Sequence, residues 1–152
     1  MINTQMRETE AWLYAYPTWQ RKLKNLRVQL NDYPRMGYEF VAVASFAKGR
    51  ESDPTYEAVE RRMEIEEQKI RPLEFKVQLL ENALSVLTEE EMDLVRLKYF
   101  EQKNNAITWE ALYLSRRAFF RKRVSILEKL YEALGGDGAI IWRGQTGSTV
   151  HS

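Results

Sequence analysis

Apolar residues recur at alternating steps of three and four along two long stretches of this chain, and that spacing commits most of it to helices. Trp12, Tyr16, Trp19, Leu23, Leu26, Leu30 and Tyr33 form the first seam, one stripe of a helix over about residues 5–32. Pro17 lies inside it and either starts a second helical piece or kinks a continuous one. The second seam is Tyr56, Val59, Met63, Ile70, Leu73, Val77, Leu80, Leu84 and Leu87. It predicts a helix over residues 54–87, broken in pattern only at Glu66, with a bend near Gln68 because Pro72 lies inside it. Between the seams, Pro34, Gly37, Gly49 and Pro54 punctuate an apolar segment with no clean helical period, read as an ordered connector over 34–54. The two seams suggest an antiparallel helical hairpin over residues 1–87. A parallel dimeric coiled coil of residues 54–87 is the alternative, and both readings make the region a scaffold.

The next stretch, residues 88–134, carries local signals of a second kind. Thr88-Glu89-Glu90-Glu91 is a capping box, in which the Thr88 hydroxyl accepts from the Glu91 N–H and the Glu91 carboxylate reaches back. It opens a helix to about Phe100 that buries Met92, Leu94, Val95, Leu97 and Tyr99. Asn104 and Asn105 mark a break and a new cap, followed by a short helix to about Ala111 and a turn at Leu112-Tyr113-Leu114. Ser115 then caps a third helix that buries Phe119, Phe120, Val124, Ile126, Leu127, Leu130, Tyr131 and Leu134 and ends at Gly135-Gly136. The tail over 135–152 reads as mobile, with Ile140, Ile141 and Trp142 as residues able to dock. The fold class expected is all-α: a long N-terminal helical hairpin followed by a compact C-terminal domain.

Charge is segregated along this frame. The net charge is only +1, but residues 1–50 carry +4, residues 51–95 carry −8 and residues 96–131 carry +6. Five cations, Arg116, Arg117, Arg121, Lys122 and Arg123, fall among residues 115–123 without an acid. At 100° per residue, Arg117, Arg121, Lys122, Ser125 and Lys129 share the face opposite the apolar one, while Arg116 and Arg123 reach sideways. A helix with one buried side and one side of phosphate-seeking charge is the pattern of a recognition helix, and a local patch of this kind matters more than the total.

Several chemistries lack raw material. There is no cysteine, and the single histidine, His151, is the penultimate residue, so thiolate catalysis, disulfides and His/Cys metal sites are not expected. The acids at Glu64, Glu66, Glu67 and Glu89 to Glu91 read as solvated flanks and helix-start charges. Gly135-Gly136-Asp137-Gly138 follows a helix with no strand leading into it, so it is no phosphate loop. Trp12, Tyr16 and Trp19 at heptad spacing read as core. The longest apolar run is far short of the roughly 20 residues a membrane helix needs, and the N-terminus does not read as a signal peptide. The expectation is a cytoplasmic protein that is not an enzyme and needs no cofactor or metal.

Three motifs carry a resemblance. Leu87-Thr88-Glu89-Glu90-Glu91, Val95-Arg96-Leu97-Lys98-Tyr99-Phe100-Glu101 and Leu114-Ser115-Arg116-Arg117-Ala118-Phe119-Phe120-Arg121-Lys122-Arg123 resemble the helix-turn-helix of bacterial sigma-factor region four. The whole chain, with Ser52-Asp53-Pro54-Thr55 before a charged seam helix, resembles phage late transcriptional regulators of the RinA and ArpU type. Trp109 stands where such domains usually carry a small residue, and Tyr113 where the turn usually has glycine. The resemblance implies a DNA-binding activator of late genes in a bacterial host cell. Ser115, Arg116, Arg117, Arg121, Lys122, Arg123 and Ser125 would contact double-stranded DNA. The hairpin would contact host RNA polymerase or a second protomer, a homodimer multiplying the affinity of one helix-turn-helix. Two other readings are a small terminase-like packaging subunit and a coiled-coil adaptor that binds no DNA.

Overall fold

The computed structural model describes residues 4–48 and 54–142, with side chains over 4–32 and 56–142. Its elements are α1 (Thr4–Lys48), α2 (Pro54–Ile65), a π-helical turn (Glu66–Ile70), α3 (Arg71–Leu84), α4 (Glu89–Val95), a second π-helical turn (Arg96–Phe100), α5 (Asn105–Ala111), α6 (Arg116–Ala133) and a 3-10 turn (Gly136–Gly138). The described residues contain no strand, and the protein is all-α. None of their helices is long and apolar enough to cross a membrane.

The first helix is longer than its seam predicts. Its backbone stays helical through Pro17 and on to Lys48, into the segment expected to be a connector over 34–54. A proline costs an interior helix a hydrogen bond, but its φ is helical, so a long helix can run through it.

The chain divides into two compact units, one of Met1–Pro17 with Gln78–Ser152 and one of Thr18–Val77. The first turns of α1 thus group with the C-terminal stretch, whose expected start is residue 88, and the side chains buried there include Met6, Thr9 and Leu13, which the heptad seam did not select.

In the Thr18–Val77 unit the two helical stretches run antiparallel. Lys76 lies 5.3 Å over the Trp19 ring, Arg27 pairs with Glu74, and the Arg62 guanidinium donates to the Leu30 carbonyl at 2.5 Å. Leu23, Leu30, Ala58, Ile70 and Val77 are buried between them. The inward residues of the second stretch run Ala58, Arg62, Ile65, Ile70, Leu73, Val77, so the step from Ile65 to Ile70 is five. The cause lies at Pro72, which has no N–H to give the Gln68 carbonyl. The Arg71 N–H bonds to the Glu66 carbonyl instead, and the widened turn takes up one extra residue. The bend expected near Gln68 therefore falls where the π turn sits. As a result Tyr56, Val59 and Met63, the first three residues of the sequence seam, are rotated outward and are 52–63% exposed.

In the other unit, α1 supplies Met6, Thr9, Leu13 and Tyr16 to a core that also holds Leu94, Val95, Tyr99, Phe119, Ile126, Leu127, Leu130 and Tyr131. The capping box forms as the sequence predicts, with the Glu91 N–H on the Thr88 hydroxyl at 3.2 Å and the Thr88 N–H on the Glu91 carboxylate at 2.9 Å. Residues 135–142, expected to be part of a mobile tail, are ordered. Gly135 at φ 120 and Gly136 at φ 61 reverse the chain. Trp142 then stacks on Tyr131 at 5.6 Å and donates its indole N–H to the Gly136 carbonyl at 2.8 Å. A Cβ on Gly135 would stand 2.9 Å from the Ala139 Cβ, so glycine is required there on both counts. The rest of the predicted tail lies outside the described residues.

Candidate nucleic-acid interface

α5 and α6 meet at an aromatic cluster. Trp109 packs edge-on against Phe119 at 5.6 Å and Phe120 at 6.2 Å, and Phe119 is fully buried. The large residue at 109 therefore becomes the interhelical contact itself, a geometry aromatic rings favour. The turn between the helices closes with the Tyr113 N–H on the Glu110 carbonyl at 3.2 Å and the Leu114 N–H on the Trp109 carbonyl at 2.8 Å. These two bonds define a Schellman motif, in which the residue after the cap adopts a left-handed conformation. Here that residue is Tyr113, at φ 59, where an L-residue other than glycine costs about 1–2 kcal/mol.

α6 starts at Ser115, whose hydroxyl accepts from the Ala118 N–H at 3.0 Å. Its inner face is held by Phe119, Ile126, Leu127, Leu130 and Tyr131. Arg116, Arg117 and Arg121 are exposed on the other side; the Arg116 guanidinium lies 5.9 Å over the Phe120 ring. Ser125 is partly buried.

Two of the predicted contacts are engaged within the protein. Arg123 forms a bidentate pair with Glu10, Nε to Oε2 at 2.9 Å and Nη2 to Oε1 at 3.0 Å, and the Tyr99 hydroxyl donates to the same carboxylate at 2.5 Å. Only 22% of the Arg123 side chain is exposed and 15% of that of Glu10. Arg123, one of the residues expected to contact DNA, is thus engaged within the protein, and its sideways direction leads onto α1. Burial works against the charge on Arg123, but the Glu10 carboxylate outweighs it and raises the pKa. Burial and the same carboxylate together push the Tyr99 phenol strongly up, so it stays a donor. Lys122 reaches Glu90 at 3.2 Å. That pair is solvent-facing at Glu90, and exposed pairs of this kind contribute little, so Lys122 remains available to a stronger anion.

The remaining cations of the basic block sort the same way. Arg96 pairs with Asp93. Lys98 is buried against the Tyr14 hydroxyl and the Asn105 side chain. Lys129 pairs with Glu91 at 2.8 Å. Among the described residues, no acid pairs with Lys103, Arg116, Arg117 or Arg121. Arg117 and Arg121 are four residues apart and so project from one face of α6, one turn from each other.

Comparison with family models, with characterised proteins and with solved structures gives no match. The geometry therefore stands alone. Sequence reasoning missed Glu10, Tyr99 and Glu90 as residues that set which cations are free. Their partners lie 113, 89 and 32 positions away, and no local spacing signals such contacts.

Proposed function

We propose that this chain is a DNA-binding transcription regulator of the phage late type, docking α6 in the major groove of duplex DNA. The observation that carries the reading is selective pairing. Around the helix, cations that could serve the fold are satisfied by acids or aromatic hydroxyls, while Arg117 and Arg121 stand exposed and unpaired on a helix whose opposite face is locked in the core. Arginines at this position suit both roles in groove docking, bidentate hydrogen bonds to guanine O6 and N7 and ion pairs to phosphate. Arg116 and the first amides of α6 would hold the flanking backbone. The coupling to transcription would come from the hairpin, through host RNA polymerase or a second protomer.

Selection from a pool of random duplexes tests the regulatory part of this reading. A regulator enriches a motif containing guanine, and Arg117→Ala loses it. Recovery of the pool unchanged by the wild-type protein would rule out sequence-specific regulation.

A further inference from the structure

We infer that Tyr113 is a DNA-backbone contact, its hydroxyl donating to a phosphate beside the groove that α6 enters; this rests on the DNA-binding reading above. The turn does not need tyrosine. Its two hydrogen bonds come from the backbone, and its left-handed φ of 59 favours glycine. Nor does the fold use the ring. Tyr113 is 95% exposed, and its hydroxyl has no partner among the described residues. A large side chain thus sits where it strains the backbone and packs on nothing, and such residues persist where another role holds them.

Position supplies the role. Tyr113 stands two residues before the Ser115 cap of α6 and shares a surface groove with Leu112, Leu114, Glu90, Asp93 and Lys122. Each of the two acids in the groove has a cation beside it, Lys122 at 3.2 Å from Glu90 and Arg96 at 2.9 Å from Asp93. A phenol there is a neutral O–H donor at the start of the helix that carries Arg116 and Arg117. Tyrosine hydroxyls are among the side chains that fix register on phosphates without reading sequence. A neutral donor releases no counterion, so it adds affinity without steepening the salt dependence.

The test measures duplex binding by fluorescence anisotropy and thermal unfolding for wild type, Tyr113→Gly and Tyr113→Phe, with Gln102→Gly as a control. Gln102 is the other described non-glycine residue at positive φ, 56, and it is exposed. Tyr113→Gly is expected to melt higher than wild type yet bind DNA about tenfold more weakly, with an unchanged salt slope. Tyr113→Phe is expected to melt like wild type and lose most of the same affinity. Gln102→Gly should melt higher with no loss. A structural role alone would move stability and affinity together. Binding by Tyr113→Gly or Tyr113→Phe within about twofold of wild type overturns the contact. Absence of binding by wild type sinks the parent reading, and is visible before any variant is made.

Discussion

At the residue scale, a carboxylate on α1 decides what an arginine on α6 can do. Glu10 accepts from both Arg123 and Tyr99, so it fixes part of α6 against the first turns of α1. Removing it leaves a largely buried guanidinium without its partner, which costs about 2–5 kcal/mol. Glu10→Gln should therefore lower the melting temperature, a loss read directly by thermal unfolding, while Arg117→Ala at an unpaired exposed site should leave it within about 0.5 kcal/mol. A second carboxyl gives a pH dependence. Burial tends to raise the pKa of Glu91, but the Lys129 ammonium and the Thr88 N–H outweigh it and hold it below the ordinary 4.5. A carboxyl with a lowered folded pKa stabilises above its unfolded value and loses that contribution as pH falls through the folded one. The stability advantage of wild type over Glu91→Gln should be full at neutral pH and shrink below pH 4.5. Local residues of this kind were legible: the Thr88 and Ser115 caps could be read from four letters each. The Glu10 pair was not, since only the packing of α1 on α6 brings those groups together.

At the scale of elements, the heptad seams located the two helical stretches of the N-terminal half but stopped the first short of Lys48 and misassigned the face of α2. The steps of three and four that run back from Ile70 select Met63, Val59 and Tyr56, whereas the π turn before Pro72 shifts the inward set to Ile65, Arg62 and Ala58. A seam counted along the chain assumes an unbroken α-helix, and one extra residue rotates everything upstream by about 100°. Deleting Gln68 should convert the π turn to ordinary helix and keep the inward faces aligned, whereas deleting one residue within α3 should misalign them. Urea unfolding should show a small loss for the first and a loss of several kcal/mol for the second. Equal losses would argue against the π turn as the source of the rotation.

For the whole molecule, the division into units falls within α1 and near the start of α3's second half, at Pro17 and Gln78. The apolar seam over residues 5–32 reads as scaffold, with Pro17 either starting a second piece or kinking one helix, whereas Met6, Thr9 and Leu13, outside that seam, are buried in the core that carries α6. The helix-turn-helix therefore needs the start of the chain, and a fragment beginning at residue 78 lacks both that apolar surface and Glu10. It should show no cooperative melt, while the full chain should. The all-α class, the capped helices and the basic face were readable because each rests on local chemistry. The unit boundary depends on contacts between residues far apart in sequence. Whether the unpaired arginines of α6 meet DNA is read by anisotropy of a labelled duplex across a salt series, with wild type beside Arg117→Ala/Arg121→Ala. Affinity is expected to fall steeply with salt, and the log–log slope of the double variant to be shallower by up to about two units. Wild-type binding no tighter than that of an unrelated protein at low salt, or a double variant indistinguishable from wild type, would contradict it.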